Sequence, residues 1–167
     1  TATTSTLRGD TDDEDRAESG RNDEGNGDER QELSVASAQL PPPLAADFHQ
    51  RVADWERFLN ADGLKARLMS RYLYEHWFIG HLYFDDLQAG EYFQLVRSRT
   101  PPGQPLDLIA TRRPYDDPGV ERVYYRLRRV TETPLAKTLM PYALGAARMA
   151  RLREWFLDPA YEVAALP

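Results

Sequence analysis

Residues 122–130 read RVYYRLRRV. Val123, Tyr125 and Leu127 alternate with Arg122, Tyr124, Arg126 and Arg128. This period of two is the mark of a strand buried on one face. It sets the class, because the flanking sequence reads as helix. On the N-terminal side, Phe48, Val52, Trp55 and Leu59 recur at helical spacing. Asp47 is the expected cap, with Gln50 in capping-box position. Asn60-Ala61-Asp62-Gly63 stops that helix, and a second is expected over 64–87. The half from Tyr72 to Phe84 is apolar nearly all round, which predicts a buried central helix. Residues 92–98 (YFQLVRS) read as β, 106–111 as a short strand, and Asp116-Asp117-Pro118-Gly119 as a turn. Pro141 is expected to open a last helix, with Tyr142, Ala146, Met149, Leu152 and Phe156 on one face and Asp158-Pro159 at its end. The expected class is α+β, a helical domain with a small antiparallel sheet over residues 44–167.

Residues 1–43 differ in kind. They carry 11 acidic and 4 basic side chains, whereas residues 44–167 carry 16 and 17. The net charge of −6 therefore belongs to the first quarter of the chain. Stretches such as DTDDED (10–15) and NDEGNGDER (22–30) have too little apolar surface to offset ordering entropy. Residues 1–43 are expected to be a disordered acidic segment closed by Pro41-Pro42-Pro43. The near-neutral body argues against nucleic acid as a partner. With no cysteine, disulfides, thiolate metal sites and covalent c-type haem attachment are excluded within these residues. The longest apolar stretch, Tyr72–Phe84, falls short of the roughly 20 residues a transmembrane helix needs. No signal peptide is visible.

Three groups of residues carry candidate chemistry. His76 and His81 lie in the apolar stretch. On one helix their rings would point about 140° apart, so they would not share a metal. Each remains a possible single haem ligand, against the alternative of a hydrogen-bonded histidine paired with a carboxylate such as Asp85. The aromatic run, above all Tyr72, Trp77, Phe78 and Tyr83, suits either an apolar ligand channel or plain core. Arg97, Arg99, Arg112 and Arg113 suit a phosphate or lipid headgroup, against an internal salt-bridge network with Asp107, Asp116, Asp117 and Glu121. Gly-rich phosphate loops are absent, and Ser70 and Ser98 lack a nucleophile elbow.

Five strings go further: DGLKARL (62–68), RYLYEH (71–76), FQLVRSRTPPG (93–103), IATRRPYDDPG (109–119) and VYYRL (123–127). In order and spacing they resemble an internal region of the bacterial fatty acid cis/trans isomerases, over about residues 44–167. The resemblance implies a periplasmic enzyme with covalent haem c. It acts on acyl chains of membrane phospholipids, stiffening the bilayer under solvent or heat stress, with peripheral membrane contact. It also implies a fragment lacking the haem motif, inactive alone. His76, His81 and Met140 become candidate haem ligands or pocket residues. Tyr72, Trp77, Phe78 and Tyr83 become acyl-channel candidates, and Arg97, Arg99, Arg112 and Arg113 headgroup candidates. Leu139 stands where the family pattern carries histidine, so no role transfers there. The competing readings are a non-enzymatic module binding anions or lipid headgroups, and a gene remnant.

Overall fold

A computed structural model describes residues 41–132 and 136–167. Except for Pro41–Pro43, the expected disordered segment lies outside the described residues. Helix α1 spans Ala46–Leu59 and α2 spans Leu64–Trp77. Strands β1 (His81–Tyr83), β2 (Phe93–Ser98), β3 (Tyr124–Arg129) and β4 (Pro141–Ala143) form one sheet in the order β3-β2-β1-β4. Helix α3 (Ala146–Leu152) runs into a π-helical turn, Arg153–Leu157. The class is α+β. The sheet is mixed, because β4 pairs parallel with β1 while the other pairs are antiparallel.

Four local expectations need correction. Helix α1 begins two residues earlier than the Asp47 cap implies, at Ala46 after Ala45, without a side-chain cap. Asp47 instead lies in the first turn, where a carboxylate suits the helix dipole, and Gln50 Nε2 donates to Asp54 Oδ1 at 3.0 Å. The second helix ends at Trp77, not near Leu87. The rest of the apolar run turns through Gly80 into β1, where the His81 N–H donates to the Met140 carbonyl at 2.7 Å. Interior strands are apolar on both faces, and over so few residues that pattern matches a buried helix. Pro141 opens β4, not a helix. As the first residue of an edge strand it forfeits no needed N–H, and its partner is His81. The helix follows at Ala146, so Tyr142 belongs to β4 and Phe156 to the π-helical turn. Finally, residues 106–111 contribute a single bridge, Leu108 to Ser98.

The core lies where α1 and α2 cover the sheet. Phe48, Trp55, Phe58, Met69 and Leu73 from the helices meet Leu82, Phe93, Leu95, Tyr125 and Leu127 from the strands. On β2, the period of two places Phe93, Leu95 and Arg97 on the buried face. Their partners across β3 are Arg129, Leu127 and Tyr125. Asn60, just past α1, ties helix to sheet. Its Nδ2 donates to the Tyr125 carbonyl at 2.7 Å, and its Oδ1 accepts the Tyr125 N–H at 2.9 Å. The amide thus satisfies β3 backbone groups much as a neighbouring strand would.

Candidate functional site

The end of α2, β4 and the π-helical turn enclose an aromatic groove of about 330 Å³. Tyr72 reaches it together with His76 and Trp77 because it lies about one turn before them on α2. Tyr142 comes from β4 and stacks on Trp77 at 6.0 Å. Trp155 and Phe156 come from the π-helical turn, and Phe156 lies 5.2 Å from Tyr72. Arg148 stands over Trp77 at the rim. Trp155 is 57% exposed and Tyr72 44%. This exposure makes the groove reachable from solvent.

Hydrogen bonding separates the two histidines. His76 Nδ1 lies 2.7 Å from the Tyr72 carbonyl oxygen. A carbonyl only accepts, so Nδ1 carries the proton and neutral His76 keeps an unprotonated Nε2. The Tyr72 ring packs against the imidazole at 3.9 Å. His81 has the opposite arrangement: its Nδ1 accepts the Met140 N–H at 3.4 Å, leaving Nε2 as the protonated nitrogen. Of the pair, His76 alone presents a free ring lone pair through Nε2. Neither histidine is paired with Asp85, whose carboxylate packs against Gly145. Among the described residues, no group of three or more His, Asp or Glu side chains is arranged to hold a metal ion.

The structure divides the other candidates. Met140 adjoins His81, is not among the residues lining the groove, and is 41% exposed. Phe78 is exposed beyond the end of α2, and Tyr83 packs on Tyr92 at 6.4 Å. Among the arginines, Arg99 pairs with Asp107 at 3.1 Å. Arg112 and Arg113 are exposed, and Arg113 lies over the Tyr115 ring. Arg97 faces inward, 5% exposed, on the wall of a second cavity of about 470 Å³ that also meets Arg67, Arg71, Arg122 and Tyr125. Sequence reading missed Tyr142, Arg148 and Trp155 in the groove, and Arg67, Arg71 and Arg122 as partners of Arg97. The one-turn spacing of Arg67 and Arg71 was the available signal.

Burial pushes the Tyr125 phenol up to about 12. It therefore stays protonated through the physiological range and is a donor, not an anion. The unfolded chain ionises near 10. Stability from the protonated phenol is thus complete below about pH 10 and is lost as pH rises from 10 through 12. The loss is expected to approach about 2 kcal/mol. Unfolding free energies measured at pH 9 and 11.5 check this, and Tyr125→Phe is expected to flatten that part of the profile.

No helix among the described residues is long and apolar enough to cross a membrane. Neither the curated proteins nor the solved structures contain a match to this chain. A family model does match: that of fatty acid cis/trans isomerase (CTI), over residues 32–167. The match takes in every element of the fold and both cavities, and starts before the resemblance noted from residue 44. The chain belongs to the fatty acid cis/trans isomerase family.

Proposed function

We propose that this chain is part of a haem-dependent isomerase converting cis double bonds of membrane unsaturated fatty acids to trans. We place the enzyme in the periplasm, where straightened acyl chains stiffen the bilayer under solvent or heat stress. The family match over residues 32–167 carries this reading. The residues of this chain do not fit a covalently held haem, because c-type attachment requires cysteine thiols and the sequence has none. The isolated chain is accordingly expected to be inactive.

The role left to these residues is to bind and orient. The groove formed by Tyr72, Trp77, Tyr142 and Phe156 offers an apolar wall for a segment of acyl chain. Seating the chain there excludes water from it and limits its rotation. His76 borders the groove with Nε2 unprotonated, available to accept a proton or hydrogen bond, or to coordinate a group brought to that wall.

The test is to express the complete reading frame encoding this chain in a bacterium whose lipids carry only cis double bonds. Gas chromatography of fatty acid methyl esters should then show trans isomers after solvent challenge. A profile that stays wholly cis overturns the reading. In the same system His76→Ala is expected to cut trans-isomer formation at least about a hundredfold, the lower range for loss of a positioned acid–base side chain. Unchanged activity removes His76 from the site.

A further inference from the structure

We propose that Tyr142 is the specificity-determining residue of the aromatic groove, the wall that gauges the length of a bound acyl segment, and that Gly80 is the positioning residue that seats its ring. The inference rests on the isomerase reading above and adds to it which chains the groove admits. The observation is a close approach of ring to backbone. A Cβ at Gly80 would stand 2.9 Å from Tyr142 Cδ2 and 3.0 Å from Tyr142 Cε2. It would also lie 3.1 Å from the Trp77 carbonyl oxygen, which accepts the Gly80 N–H at 2.8 Å. Only a residue without a side chain lets the ring lie this close. The ring is held elsewhere too. It stacks on Trp77 with centroids 6.0 Å apart, and its backbone is in register with Leu82 of β1. Trp77 and Leu82 are both buried.

A groove selects by shape only where its wall does not yield. The groove's rings divide on that test. Tyr72 and Trp155 are exposed and form the mouth. Buried Trp77 and Leu152, with half-buried Tyr142, form the floor. Trp77 and Leu152 also belong to the buried core, so their size is fixed by the fold. Tyr142 only packs against that core, from a three-residue edge strand, and is backed by a glycine. Its side chain can therefore set the depth of the groove without refilling the core. A shorter residue deepens the floor. A methyl group on residue 80 acts in the other sense: with Trp77 against its face, the displaced ring takes up space in the groove. In an apolar pocket one methylene changes selectivity by about 10- to 200-fold, so either change is large enough to read.

The test expresses the complete reading frame in a bacterium whose membrane carries cis-monounsaturated chains of two lengths, two methylenes apart. Gas chromatography of the methyl esters gives the trans fraction at each length, and the ratio of long to short is the readout. Tyr142→Leu should raise that ratio at least about tenfold, the effect of one methylene in an apolar pocket. Tyr142→Phe keeps the ring and should leave the ratio unchanged. Gly80→Ala should lower it. Gly80→Ala combined with Tyr142→Leu should return to the Tyr142→Leu value, because the added methyl then meets no ring. A residue that merely supports the fold lowers both trans products together, so an unchanged ratio in Tyr142→Leu overturns the proposal. A Gly80→Ala shift that persists in the double variant overturns the role given to Gly80. If Gly80→Ala does not fold, Tyr142→Leu against Tyr142→Phe decides. Trans isomers in the unaltered enzyme with a ratio no Tyr142 variant moves overturn this inference alone. A wholly cis profile in the unaltered enzyme overturns the isomerase reading and this inference with it.

Discussion

Glu56→Gln is expected to destabilise the fold by about 3–5 kcal/mol, the usual cost of breaking a buried ion pair on one side. Glu56 lies on α1 and is 4% exposed. Its Oε2 accepts from Arg126 Nε at 2.9 Å, and its Oε1 accepts the Leu127 N–H at 2.9 Å. Both lone-pair directions thus meet donors on β3. An amide turns an NH2 toward one of those donors, and Arg126 keeps its charge without a counter-ion. Arg126 also holds the loop that follows β2, donating Nη1 to the Pro101 carbonyl at 2.8 Å and the Gln104 carbonyl at 3.2 Å. Loosening of residues 100–105 should accompany the loss. Urea denaturation with an unchanged slope checks the magnitude. Replacing both partners with apolar residues, Glu56→Leu with Arg126→Met, should recover much of the loss. Recovery would show that the pair secures register more than stability.

Phe93→Ala is expected to cost about 3–5 kcal/mol as well, by a different route. Phe93 is 1% exposed and stands where three elements meet. Its ring lies 6.3 Å from Phe48 of α1 and 5.3 Å from Phe84 beyond β1. In register it faces Leu82 on β1 and Arg129 on β3. Removing it leaves a cavity against rings held by separate backbones, so collapse is limited. Phe93→Leu keeps most of the volume and should lose less than about 1.5 kcal/mol. Thermal unfolding of the two variants side by side checks the difference. Near-equal losses would mean that the site relaxes around the gap.

Several elements were legible in the residues because each leaves one face wet. The alternation of 122–130 marked β3, and the spacing of Phe48, Val52, Trp55 and Leu59 marked α1. Strand β1 was not legible, since an interior strand of three residues shows no alternation and its apolar run continues that of α2. Pro141 was misread because its place is fixed by His81, far back in the chain, and local preference says nothing of such a partner. Arg97 shows a clash between two local signals. Residue type argued for the surface, yet the series Phe93, Leu95, Arg97 placed it inward. Packing followed the series, and that is why the arginine cavity exists. In the groove, Tyr72, His76 and Trp77 were visible as neighbours on one helix. Tyr142, Arg148 and Trp155 reach them only through the fold.

The parallel strand β4 also sets a schedule for synthesis. Strand β1 has β2 on one side about ten residues later, but its other edge waits for Pro141–Ala143, roughly sixty residues further on. At about 5–20 residues per second, a ribosome needs about 3–12 s to supply them. For that time the emerging chain presents His81–Tyr83, with apolar Leu82 at its centre, as an unpaired strand edge. An open edge of that kind is a template for pairing with other chains. Slow translation of residues 84–140 should therefore lower the soluble yield of this protein more than slow translation before residue 80.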